Sequence, residues 1–265
     1  MLVLLLLSNS LFADDLIVVD HVHHKDRAYV IADNRGAATA TLHIQCEMKN
    51  AVSSLQNRSF LVPANSRVTL IAITSRDVTK EWSFDYSYSY LWGQPGAKHN
   101  DRYAYRIPFE KGKSVRVMQG FGGSFSHTGE DRYSIDWDVP ERTPIYAARE
   151  GIVVETKSDS NQGGSNERKF IDHANYVRVL HDDGTRGHYA HLVKDGVAVR
   201  AGEKIRRGQF IGYSGNTGFS SQPHLHFQVS RVLDGKDYET IPFRFRGEEG
   251  DWLDVKRNQT YTVSW

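Results

Sequence analysis

The feature that most restricts this chain is a period of two that recurs along most of its length, with no clear stretch repeating every three to four residues. Apolar residues at alternate positions belong to strands with one buried face, so the expectation is an all-β protein. Before position 105, residues 16–19, 28–32, 39–46, 60–62 and 68–73 read as short strands, and Asp33-Asn34-Arg35-Gly36 reads as a turn. Leu42, Ile44 and Cys46 share a face, and Trp82, Phe84, Tyr86, Tyr88 and Tyr90 alternate with polar residues. Strands of this length and spacing suggest a small β-sandwich over 14–104, with the aromatic stripe on its core side. Residues 93–101 are loop-like and mark the passage to a second strand-rich part. Residues 145–148, 151–155, 176–180, 187–192 and 210–213 supply its strands, 158–168 a polar surface loop, and 238–265 closing strands.

Composition narrows the chemistry. Lys+Arg 33 against Asp+Glu 32 leaves a formal charge of +1, which argues against a nucleic-acid binder working through a broad basic surface. The single cysteine, Cys46, excludes an intrachain disulfide and a cysteine-built zinc site. Twelve histidines leave metal chemistry to imidazoles and carboxylates. Residues 1–13 form an apolar run ending in small and polar residues, too short for the roughly 20 residues that span a bilayer. The run fits the apolar part of a signal peptide cleaved after Ala13, although no Lys or Arg precedes it; the competing reading is a buried N-terminal strand. The expectation is therefore an exported protein, periplasmic or extracellular, without stable membrane insertion, and a monomer.

The densest chemical signal is Pro223-His224-Leu225-His226-Phe227. In a strand His224 and His226 point to one side, while Leu225 and Phe227 pack into the core. His127, in Ser126-His127-Thr128, and Asp136, in Tyr133-Ser134-Ile135-Asp136, add further groups of the right type. Two neutral imidazoles and one carboxylate around zinc leave a net charge of about +1 and an open fourth position, which suits hydrolysis better than a structural role. Gly187-His188-Tyr189-Ala190-His191-Leu192 brings another pair. By strict alternation His188 and His191 face opposite sides, so only one looks into the site and His188 is expected to face away. The same count places Tyr189 beside His191 as a candidate substrate contact. His21 and His23 would also share a face, but no carboxylate stands at a matching position; with His24 they read as surface or edge residues. His173 and His181 flank a strand and are not expected to touch metal.

These residues resemble the lysostaphin-type (LytM-like) zinc endopeptidases that cut peptidoglycan peptides. The resemblance covers about half the chain, from roughly 106 to 243, and rests on Tyr189-Ala190-His191-Leu192, Pro223-His224-Leu225-His226-Phe227, the Gly-Tyr-Ser-Gly-Asn-Thr-Gly run at 212–218, and Asp136 followed by Pro140 and Thr143-Pro144-Ile145-Tyr146-Ala147. It implies an antiparallel, duplicated-hybrid-motif-like catalytic domain over 105–237. It also implies a Zn2+ ion held by His127, Asp136 and His226, with His191 and His224 as the catalytic histidines, and hydrolysis of a peptidoglycan amide by metal-activated water. Either histidine would accept the water's proton or steady the developing oxygen or leaving amine. The commonest family spacing is His-x3-Asp; here eight residues separate His127 from Asp136, with Asp131 and Asp138 as competing carboxylates. The alternatives to an enzyme are a catalytically silent wall-binding or hydrolase-activating relative of the same fold, and an adhesin-like protein whose zinc is structural. The sandwich would cover the cleft or orient the chain on the wall.

Overall fold

The computed structural model describes residues 16–264 apart from 54, 56, 166–167 and 248–249; the signal expected over 1–13 lies outside the described residues. The protein is all-β. Among the described residues helix is confined to two short 3-10 turns, Gly129–Asp131 and Arg168–His173.

Seven strands come first: β1 (Ile17–His23), β2 (Arg27–Asn34), β3 (Ala40–Lys49), β4 (Ala51–Val52), β5 (Arg58–Val62), β6 (Ser66–Ser75) and β7 (Ser83–Trp92). They form two antiparallel sheets, ordered β1-β2-β6-β4 and β5-β3-β7. The alternation seen in the sequence is the packing pattern. Val30, Ala32, Ile71 and Ile73 from one sheet meet Leu42, Ile44, Val62 and Trp92 from the other, all buried. Asn34 holds the adjoining turn by donating to the carbonyls of Ala38 and Val62, each at 2.9 Å. A side chain at Gly36 would place its Cβ 2.4 Å from the Trp92 ring, so only glycine lets the chain pass there. The aromatic stripe departs from expectation in degree. Phe84, Tyr86 and Tyr90 are half-buried against this core, and Tyr88 is 37% exposed, because β7 is an edge strand whose flank faces β1 rather than a full sheet.

Fourteen further strands follow: β8 (Ala104–Tyr105), β9 (Ser114–Gln119), β10 (Ser134–Asp138), β11 (Pro144–Tyr146), β12 (Gly151–Lys157), β13 (Asn175–Leu180), β14 (Arg186–Val197), β15 (Lys204–Ile205), β16 (Phe210–Ser214), β17 (Leu225–Val232), β18 (Tyr238–Thr240), β19 (Arg244–Arg246), β20 (Trp252–Leu253) and β21 (Thr260–Thr262). The main sheet runs β15-β12-β13-β14-β17-β10-β9-β21. One face is apolar: Ile135, Trp137, Val177, Val179, Tyr189, Phe227 and Val229 pack with Phe109, Phe243 and Phe245. The other face is polar and ordered in rows across the strands. Gln119, Asp136, His226, Ala190 and Tyr176 form one row. Ser134, Gln228, His188, Arg178 and Glu155 form the next. Ser230, Arg186 and Leu180 form the third.

The sandwich docks on this second face. Val154 and Leu180 of the main sheet pack into the sandwich core, and the Ser89 hydroxyl donates to the Gly235 carbonyl at 3.1 Å. Leu180 lies in the third row, four residues along the strands from the row of His226, or roughly 13 Å at the rise of a strand.

Candidate active site

The sheet register assembles the site. Asp136 on β10 lies directly opposite His226 on β17, and the His226 Nδ1 stands 2.9 Å from Asp136 Oδ1. His127 arrives from the loop before β10 and is fully buried. Its Nδ1 donates to the Gly120 carbonyl at 2.9 Å, a partner that can only accept, so the lone pair is on Nε2. That Nε2 comes to 3.1 Å from Asp136 Oδ2 but is not aligned as a hydrogen bond, which leaves a buried nitrogen without a hydrogen-bond partner. The ligand atoms of His127, Asp136 and His226 all lie within 4.8 Å of one another. Two imidazoles and a carboxylate around one point, with an orphaned nitrogen aimed at it, fit a divalent metal of borderline softness.

Electrostatics around the cluster favour the carboxylate that a metal needs. Burial opposes ionisation of Asp136, but the neighbouring His127 and His226 imidazoles hold its carboxyl well below the usual range. Gln119, beside it on β9, donates to Asp136 Oδ2 at 3.2 Å and accepts from the Phe125 amide, tying the carboxylate to the loop that carries His127. Burial would lower His226, and the facing Asp136 carboxylate reverses this and raises it.

His224 and His191 stand beside this cluster. His224 donates from Nδ1 to the Gln222 carbonyl at 2.8 Å, and its Nε2 is 3.7 Å from Asp136 Oδ1. His191 donates from Nδ1 to the Thr217 carbonyl at 2.6 Å. The two rings are 4.5 Å apart, and the His191 ring is 5.8 Å from that of His226. Burial, then the neighbouring imidazoles, pushes His191 down to about 3; burial likewise lowers His224. Each is a neutral imidazole whose Nδ1 is occupied by backbone, leaving Nε2 free to exchange a proton in the site.

Strict alternation fails at β14, and the reason is a bulge. Tyr176 pairs with Ala190 and Asn175 with Leu192, so His191 is an extra, unpaired residue, with a left-handed φ of 65°. The bulge turns His191 onto the face of His188 and Ala190. His188 therefore does not face away: it shares the site face, its ring 6.2 Å from that of His226, and Arg178 donates to its Nδ1 at 3.2 Å. Tyr189 is corrected in the opposite sense. It is fully buried on the apolar face against Phe227, its hydroxyl accepts from the Ala148 amide at 2.7 Å, and it is no substrate contact.

The competing acids go elsewhere. Asp138 accepts from Arg116 at 3.0 Å, and Asp131 accepts from the Tyr238 hydroxyl at 3.1 Å. Gln119 and Gln228 escaped the sequence reading, although Gln228, two residues beyond His226, carried the same period-two signal. The 215–218 turn, which supplies the Thr217 carbonyl, must begin with glycine, since a Cβ at Gly215 would lie 2.4 Å from the Val193 nitrogen. At the rim Phe125, 63% exposed, stacks with Phe219 at 6.0 Å.

Known proteins resemble this half of the chain. The family model described as "Peptidase family M23" matches residues 130–239, which contain Asp136, His191, His224 and His226, with His127 just before. Glycyl-glycine endopeptidase ALE-1 of Staphylococcus capitis is 39% identical over 101 residues, 38% of this chain and 25% of that protein. Peptidoglycan DD-endopeptidase ShyA of Vibrio cholerae is 37% identical over 94 residues, 36% of this chain and 19% of its own length. Lysostaphin of Staphylococcus simulans is 39% identical over 118 residues, 43% of this chain and 22% of its own length. The chain thus spans about a fifth to a quarter of these relatives. The segment that builds the polar face of the main sheet is thus the part of the chain that matches peptidase family M23.

Proposed function

We propose that this chain is an exported zinc metalloendopeptidase that hydrolyses peptide amide bonds of peptidoglycan. The observation that carries the reading is the convergence of His127 Nε2, Asp136 and His226 Nδ1 on one point, with two neutral imidazoles alongside. His127, Asp136 and His226 would hold the ion, and zinc held there would supply Lewis acidity for the scissile carbonyl and the attacking water. His224 and His191, each anchored through Nδ1, would take the proton from the nucleophile on Nε2 and, once protonated there, return it to the leaving amine or hold the developing oxyanion through Nε2–H. The relatives' names give the substrate class, as both glycyl-glycine and DD peptide bonds of the wall occur among them. This reading divides the chain into a signal at 1–13, a sandwich at 14–104, a peptidase domain at 105–237 and a strand extension at 238–265. It is supported by two separate apolar clusters, one in the sandwich and one in the peptidase half. No helix among the described residues is long and apolar enough to cross a membrane.

The test is incubation of the full chain with defined muropeptides, with mass detection of products. The expected result is peptide scission with release of a new amino group, abolished by a chelator and restored by zinc. Wall binding without new amino groups would overturn the enzyme in favour of a silent binder of the same fold.

A further inference from the structure

We propose that the pocket between the 120–124 loop and residues 255–257 is a carboxylate subsite, in which Lys256 and Arg257 hold an acidic group of the substrate roughly three or four residues from the scissile bond. The inference rests on the reading that this chain cleaves wall peptides.

The pocket has a volume of about 470 Å³, within the roughly 300–1,000 Å³ of small-ligand sites. One wall is the glycine-rich loop after β9, the other the segment between β20 and β21. Backbone stitches the two together: the Asn258 amide donates to the Val117 carbonyl at 2.8 Å, and the Val117 amide to the Gln259 carbonyl at 2.9 Å. A Cβ at Gly122 would meet no atom within 4 Å, so the loop borders open space there. At Gly123 a Cβ would run into Gln119 at 2.2 Å, so the loop rests on the side chain that donates to Asp136. Gly120 lines the pocket, and its carbonyl holds His127. One loop thus shapes the pocket and positions a member of the candidate metal cluster. Every lining residue lies outside 130–239, the segment that matches the family, so the subsite belongs to this chain's own additions around that segment.

Its charge is positive and has no counter-ion of its own. Lys256 and Arg257 are exposed, and among the described residues neither forms an ion pair. The neighbouring acids are committed elsewhere. Asp254, two residues before Lys256, pairs with Arg244 at 3.2 Å. Asp138 accepts at 3.0 Å from Arg116, which also holds the Asn258 side chain. A guanidinium and an ammonium lining a pocket without an acid suit a carboxylate, which the guanidinium can grip with two parallel N–H groups. Strand order gives the reach. The main sheet runs β14-β17-β10-β9-β21, with Asp136 on β10 and the pocket at the β9–β21 edge. Two to three strand spacings of about 4.8 Å make roughly 10–14 Å, which an extended peptide covers in about three or four residues. His191 on β14 and His224 before β17 stand on the opposite flank of Asp136, so the pocket takes the part of the substrate on the far side of the cluster from them.

The experiment uses the full chain with a synthetic wall stem peptide bearing free carboxylates, and the same peptide with those carboxylates converted to primary amides. Calorimetry reads binding, product analysis reads kcat and KM, and thermal melts verify folding. The wild type is expected to prefer the acid form by about 5–10-fold, a preference that shrinks at about 0.5 M salt. Lys256→Ala with Arg257→Ala is expected to bring that ratio close to one, chiefly through KM. Lys256→Glu with Arg257→Glu is expected to invert it, and Lys256→Arg with Arg257→Lys, which keeps both charges, to retain it. A folded double-alanine protein with the wild-type ratio would overturn the proposal, as would a wild type that is indifferent to amidation or binds neither form. A wild type that binds the peptide but cleaves neither form would overturn the peptidase reading instead, and the calorimetric ratios would still decide the subsite.

Discussion

The chain contains His-x-His twice, at His21-Val22-His23 and at His224-Leu225-His226, and the two have opposite fates. Across from His21 and His23 on β2 stand Val30 and Ala28, and their rings lie against the aromatics at the start of β7 and just before it, His23 stacked on Trp82 at 4.5 Å and His21 edge-on to Phe84 at 5.3 Å. Across from His226 stands Asp136, with His127 behind it. An identical spacing thus gives an aromatic ledge in one sheet and a cluster fit for a metal in the other. What separates them is the neighbouring strand, 90 residues away in the chain for Asp136 and His226.

The sharpest way to break this contrast is Asp136→Ala. Metal chemistry contributes several kcal/mol to hydrolysis, so the loss should be about 10³-fold or more in turnover, with loss of tight zinc. Metal analysis and muropeptide cleavage read both; a variant that kept zinc and activity would put the ligands elsewhere. Next come His224→Ala and His191→Ala, expected to keep zinc while turnover falls roughly 10²–10⁴-fold, the range of general acid–base catalysis. Zinc lost along with activity would make them ligands instead.

His181 sharpens the comparison from a third side, because it is buried yet belongs to neither group. Its Nδ1 donates to the Glu150 carbonyl at 2.7 Å, and burial, aided by Arg149, pushes it down to about 4. The unfolded chain binds this proton from pH 6.5 downward, whereas the folded one does so only near pH 4. Its contribution is therefore complete above pH 6.5 and is lost as pH falls through that window, up to about 3 kcal/mol. Urea midpoints at pH 7.5 and 4.5 should differ less in His181→Gln than in the wild type; an equal difference would assign the acid sensitivity to other groups. The smallest effect belongs to His23→Ala, which should cost about 0.5–1.5 kcal/mol of stability through lost ring contacts and leave zinc binding unchanged. A drop in zinc content there would erase the contrast.

Much of the site could be read before any coordinates. The period of two put His224 and His226 on one face with Leu225 and Phe227 behind them, and β17 has that arrangement. The same rule failed three residues after His188, because one left-handed residue in a bulge reverses the parity of everything beyond it, and a bulge leaves no mark in alternation. Tyr189 was misplaced for the same reason. The pairing of Asp136 with His226 was invisible because it depends on cross-strand register, which a single sequence does not encode locally. In the sandwich the alternation located Leu42 and Ile44 but overstated the burial of Tyr88, since nothing in β7 alone announces an edge.

The seam between the halves has its own consequence. Val154 and Leu180 come from the main sheet, yet they complete the sandwich core, and Leu180 shares a face with the His226 row. A fragment cut at 105 would carry a naked oily strip beside its own cleft and would tend to clump. The second half of the chain is therefore not a detachable cartridge; whoever transplants it must carry its neighbour along or repaint those two positions.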